Sequence, residues 1–131
     1  MLDDLIRWFH VLAAAVWIGG MITVAALVPV LRKAGVERSV IQAAARRFGA
    51  AAWIALTVSA VTGVIQLSRL GVEVRGNTVL MIKLALVGLS VGLTFVHQEL
   101  ARAVSPSVRG IMEGLLLLLG LGILYAAVSL Y

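Results

Sequence analysis

Residues 5–30 read LIRWFHVLAAAVWIGGMITVAALVPV, an apolar run broken only by Arg7, His10 and Thr23. A membrane helix needs roughly 20 predominantly apolar residues, so this run is a first membrane span. It is too long for the 7–15-residue core of a signal peptide, and Asp3-Asp4 precede it where such a peptide is basic. The run is therefore expected to stay in the protein. Within it, His10 is followed by Trp17 and the pair Gly19-Gly20. Residues seven apart nearly eclipse on a helix, which places imidazole and indole on one face. Histidine is expensive in hydrocarbon, so one inside a span is by default a ligand or a proton carrier.

The same reading extends along the chain. Of 131 residues, 62% are hydrophobic and 13% charged, against about 45–50% apolar in soluble domains. The mean hydropathy is +1.08. Four spans are expected, at 5–30, 50–70, 78–97 and 111–130. An Arg-rich amphipathic lead-in, Glu37 to Phe48, is expected to run helically into the second. The fold class is all-α, an integral membrane four-helix bundle forming one domain over 1–131. A barrel would show alternating segments of about ten residues, and these are absent from the sequence.

Net charge is +5 and the pI near 10.8, yet nucleic acid is not the expected partner, because the charge partitions by membrane side. Arg32, Lys33, Arg38, Arg46 and Arg47 fall in the connection 31–49, and Arg102 and Arg109 in the connection 98–110. Arg7, Arg69 and Arg75 fall on the other side, with Lys83 just inside the third span. The positive-inside rule then puts both termini on the outer side, periplasmic in a bacterium, with anionic lipid facing the basic connections.

Ser59-x3-Gly63, Gly88-x3-Gly92 and Gly110-x3-Gly114 are small-residue faces of the kind that pack membrane helices, and a homo-oligomer is expected from them. Thr57, Ser59, Thr62 and Gln66 make one side of the second span polar. They serve either packing between helices or the edge of a flat ligand. An outer polar pocket is expected from Asp3, Asp4, Arg7, His10, Gln66, Arg69 and Lys83, although Lys83 also has the length to snorkel to the interface. A second, cytoplasmic layer comprises Arg46, Arg47, His97, Glu99, Arg109 and Glu113. Arg109 and Glu113, four apart, are placed to pair along a helix face.

The chain has no cysteine, so thiolate metal sites are excluded. His10 lies near the start of its span and His97 near the end of a parallel one, so their depths differ by roughly 20 Å. Two axial imidazoles on one iron are thus not expected within one subunit. A haem at His10 would take Lys83, Met81, water or nothing as its other ligand, and His97 would form a separate site. Met21 and Met81 are soft donors suited to copper(I), but Met1, Met21, Met81 and Met112 form no cluster and read better as core. Nucleophilic triads, phosphate loops and zinc spacings are absent.

The stretch FHVLAAAVWIGGMI (9–22) resembles the first helix of CopD-like membrane domains and of HemJ-type protoporphyrinogen oxidases. Further similarities follow in order. ARRF (45–48) resembles the entry to the second helix in both groups, and SAVTG (59–63) the Thr-Gly of CopD-like second helices. Lys83 in MIKLALVG (81–88) resembles the lysine opening the third helix. His97 falls where the HemJ-type third helix ends, and VRGIMEG (108–114) resembles the Arg-x3-Glu entering the fourth. The chain departs from the HemJ pattern where Asn-Glu-x-Pro becomes Met112-Glu113-Gly114-Leu115, and Pro29 falls later than the corresponding Leu-Pro-Arg.

The HemJ-type resemblance implies a b-type haem and oxidation of protoporphyrinogen IX at the bacterial inner membrane. Carried over, His10 is the iron ligand. Trp17, Gly20 and Lys83 line the cofactor, and Lys83, Arg47, Arg109 and Glu113 support catalysis or substrate. A porphyrinogen, a quinone or another electron-transfer protein would be its partner. The CopD-like resemblance implies copper handling, and a cofactor-free accessory subunit is the third reading.

Overall fold

The computed structural model describes residues 1–100 and 103–130. Its elements are four helices, α1 (Leu2–Lys33), α2 (Arg38–Leu70), α3 (Thr78–Leu100) and α4 (Pro106–Val128), with a single 3₁₀ turn at Val74–Gly76. Each helix is long and apolar enough to cross a membrane. The chain is therefore an all-α, multi-pass membrane protein, and the expected spans fall within these helices apart from the last two residues of the fourth. Arg102, counted above among the basic connections, lies outside the described residues.

The expected connection 31–49 is mostly helix, with only 34–37 outside α1 and α2. The 32 residues of α1 measure about 48 Å at helical rise, well beyond a hydrocarbon core of about 30 Å. The helix ends therefore project past the lipid tails and carry the basic residues with them. Arg32 and Lys33 occupy the last turn of α1, where cations complement the helix dipole.

Local chemistry sets the ends. After α1, Gly35 adopts φ +79. The amide of Gly35 donates to the Arg32 carbonyl at 3.2 Å, and that of Val36 to the Leu31 carbonyl at 3.1 Å. This is a Schellman closure, which requires a left-handed residue at that position. Asn77 caps α3, its side-chain oxygen accepting from the Leu80 amide at 3.0 Å. Ser105 caps α4, accepting from the Val108 amide, and Pro106 follows at the first helical position, where its missing N–H costs nothing.

The helices form two compact antiparallel hairpins, α1–α2 within Met1–Val72 and α3–α4 from Glu73 onward. In the first hairpin, α1 turns inward Ile6, His10, Ala13, Trp17, Gly20, Val24, Val28 and Leu31, all buried or half-buried at helical spacing. In the second, α3 turns inward Leu80, Lys83, Val87, Ser90, Thr94 and His97. From α4 come Arg109, Met112, Leu116, Gly120, Ile123 and Ala126. The outer faces carry large exposed apolar side chains such as Ile54, Val64, Leu118 and Leu89, as lipid-facing surfaces do.

Candidate functional site

The His10 side chain crosses from α1 to α2 in the first hairpin. Its Nδ1 lies 2.8 Å from the Ser59 carbonyl oxygen, 3.1 Å from Thr62 Oγ1 and 3.4 Å from Ser59 Oγ. A carbonyl can only accept, so Nδ1 carries the hydrogen and donates. The Thr62 hydroxyl has its own hydrogen engaged by the carbonyls of Val58 at 2.6 Å and Ser59 at 3.1 Å, which turns its lone pairs toward the ring. The proton on Nδ1 assigns the neutral imidazole's lone pair to Nε2. A metal-binding histidine is held in this way, by a bond from its other nitrogen to a carbonyl or carboxylate.

Gly63 makes that approach possible. A Cβ at Gly63 would lie 3.2 Å from His10 Cε1 and 3.6 Å from Nδ1, tighter than ordinary carbon contact. Ser59-x3-Gly63 is thus both a packing face and the seat of the imidazole. The sequence signalled Ser59, Thr62 and Gly63 only as small or polar residues, so their joint role at His10 went unassigned. The cue was available: they are polar or small at i, i+3 and i+4, which is one side of a helix.

One turn outward, Gln66 Nε2 donates to the Thr62 carbonyl at 3.3 Å. Gln66 also lines a cavity of about 90 Å³ with Asp3, Asp4, Arg7, Arg69 and Leu70. Arg69 Nε donates to Asp3 Oδ1 across the helix ends. Of the expected outer pocket, Asp3, Asp4, Arg7, Gln66 and Arg69 come together here, while His10 is not part of the cavity lining.

Trp17 is buried, at 4% exposure. Gly20 packs closely on α2: a Cβ there would overlap the Phe48 ring. In ARRF, Phe48 turns inward while Arg46 and Arg47 are exposed.

Lys83, His97, Arg109 and Glu113 belong to the second hairpin. Lys83 is half-buried on the inward face of α3. His97 Nε2 lies 3.8 Å from Glu113 Oε1, with the two side chains 20% and 57% exposed. Glu113 was expected to pair with Arg109. Among the described residues it instead faces His97 across the hairpin, and Arg109 Nε is buried with no hydrogen-bond partner. Arg109 lies half-buried on the inward stripe of α4 whereas Glu113 is exposed, so the i, i+4 relation alone does not bring their charges together. Ser90 Oγ and His97 Nδ1 are likewise buried without a hydrogen-bond partner among the described residues, and nothing in the sequence singles out Ser90.

Met112 is at 9% exposure and Met81 at 42%. Among the described residues no three His, Asp or Glu side chains gather as a metal-ion site. Compared with protein-family models, curated proteins and solved structures, the chain finds no significant match.

Proposed function

We propose that this protein is a membrane haem b protein working in electron transfer or porphyrinogen oxidation, with His10 as an axial ligand of the iron. One observation carries the reading: the His10 Nδ1–H bond to the Ser59 carbonyl at 2.8 Å, which orients the ring and puts its lone pair on Nε2. The donor set fits haem better than a bare ion. Copper or zinc held by protein alone needs several side-chain ligands, whereas a porphyrin brings four nitrogens and asks the chain for only one or two. When bound, haem supplies one-electron chemistry whose potential depends on the axial ligand, burial and neighbouring hydrogen bonds.

The chain's own residues would act as follows. Ser59 and Thr62 hold the imidazole in one tautomer, and Gly63 leaves it room. Within the same hairpin, the resemblance to HemJ-type proteins adds Trp17 at the cofactor and Arg47 for the substrate. Residence in a bacterial inner membrane with both termini outside, and self-association through Gly88-x3-Gly92 and Gly110-x3-Gly114, belong to the same proposal. Those four glycines are exposed and have no neighbour within 4 Å of an added Cβ.

The test is an absorption spectrum of detergent-purified protein, oxidised and dithionite-reduced, after expression with adequate haem. A Soret band with sharpened reduced bands is expected, and it is lost in His10→Ala. Absence of the band ends the haem reading. A band that survives in His10→Ala moves the ligand elsewhere. Stoichiometric copper in a haem-free sample would favour the CopD-like alternative.

A further inference from the structure

The inward face of α3 carries a second set of polar groups that haem ligation does not use. Lys83, Ser90, Thr94 and His97 share it, seven, eleven and fourteen residues along from the first, and such spacings return to one side of a helix. Ser90 is completely buried and Thr94 is 7% exposed. Ionisable side chains inside a membrane are costly and by default mark ion or proton pathways, whereas Ser and Thr there also serve packing between helices.

The hydroxyls separate the two readings. A helical Ser or Thr with no other task usually bonds back to a carbonyl three or four residues earlier. Thr23 does so to Gly19 at 2.8 Å, Thr62 to Val58 at 2.6 Å, and Thr94 to Ser90 at 2.7 Å. Ser90 does not, and its Oγ is buried with no partner among the described residues. The Nδ1 of His97 is in the same state, while its Nε2 faces Glu113. A fully buried hydroxyl and a buried imidazole nitrogen on one helix face, both without partners among the described residues, each call for a hydrogen-bonding partner, and water is the small molecule that can donate and accept at both.

We propose that the inward face of α3 is a proton pathway from Lys83 through Ser90 and Thr94 to His97. The step is a transfer of protons only. A proton taken up at one end is matched by one released at the other, and each hydroxyl or bound water donates one hydrogen as it accepts another. Lys83 and His97 are about 21 Å apart along the helix, most of a hydrocarbon core of about 30 Å. Both termini of the path are titratable, and Ser and Thr between them both donate and accept. The charged groups near its His97 end are Glu99 on α3, and Arg109 and Glu113 on α4. The proposal does not rest on haem at His10, because none of its residues is among those that hold the His10 ring.

The test is proton uptake by liposomes containing the purified protein and a trapped pH-sensitive dye, driven by a valinomycin-set potassium potential. Wild-type protein is expected to take up protons faster than empty vesicles. Ser90→Ala and Lys83→Met should lose that excess, and Ser90→Thr should keep it. Uptake no faster than in empty vesicles overturns the proposal, and so does undiminished uptake in Ser90→Ala. Should Ser90→Ala not fold, Lys83→Met gives the same reading, with undiminished uptake again decisive against the path. A Soret band retained in Ser90→Ala would show that loss of uptake and loss of haem are separate events.

Discussion

His10 and Gly63 are in direct van der Waals register across the first hairpin, so close that a methyl group on Gly63 would stand 3.2 Å from the imidazole Cε1. The glycine lets the ring reach the Ser59 carbonyl, and the carbonyl sets which nitrogen keeps its lone pair. A backbone acceptor cannot be removed by substitution, but the room in front of it can.

Gly63→Val should therefore displace the ring and weaken haem binding by about 10–100-fold, the range found when the group supporting a metal-binding histidine is lost. Gly19→Val is the control, since an added Cβ at Gly19 meets nothing within 4 Å. Haem titration of the two variants checks this. Equal affinity in Gly63→Val and wild type would detach Gly63 from the site.

Gly20 and Phe48 supply a prediction about stability. An added Cβ on Gly20 falls into the Phe48 ring, so Gly20→Ala should cost about 1–3 kcal/mol, as overpacking does. Combining it with Phe48→Leu should recover much of that loss. Unfolding in mixed detergent, run as a double-mutant cycle, measures the coupling. Strictly additive losses would show that the two residues do not meet.

The Asp3–Arg69 pair ties the open ends of the first hairpin, with side chains 64% and 44% exposed. Pairs this exposed are worth about 0–1 kcal/mol. Asp3→Asn should lower stability by no more than that, and the difference should shrink as salt is added. A salt-independent loss of several kcal/mol would mean that the pair works in a drier setting.

The membrane orientation has a direct check because the chain has no cysteine of its own. Single cysteines at Ala34 and Gly76, in the turns after α1 and before α3, should label from opposite sides of intact cells with a membrane-impermeant maleimide. The charge distribution predicts Gly76→Cys outside and Ala34→Cys inside. The reverse pattern would invert the topology.

The site was partly legible in the residues themselves. A histidine in a membrane-length run announces itself, as do the inward periodicity of Trp17 and the polar side of α2. Of the outer pocket expected from Asp3, Asp4, Arg7, His10, Gln66, Arg69 and Lys83, the cavity lining includes Asp3, Asp4, Arg7, Gln66 and Arg69, which lie at one depth near the same helix ends, and does not include His10 or Lys83. The Arg109–Glu113 pair was misread for a physical reason. Spacing of four says that two side chains share a helix side, but not that Arg109 lies half-buried on the inward stripe while Glu113 is exposed. Ser90 passed unnoticed because one serine in an apolar helix looks like any small packing residue.

Hydrophobic length and charge distribution determined four membrane helices, their approximate ends and the presence of a polar face on α2. These follow from the sequence because span length, caps and turn glycines are local properties of the chain. Only the tertiary structure decided that His10 Nδ1 meets the Ser59 carbonyl, that Phe48 packs against Gly20, and that Ser90 Oγ is buried without a hydrogen-bond partner among the described residues. Each depends on the register of one helix against another. That register is set by which small residues let two backbones approach, and periodicity along a single helix does not contain it.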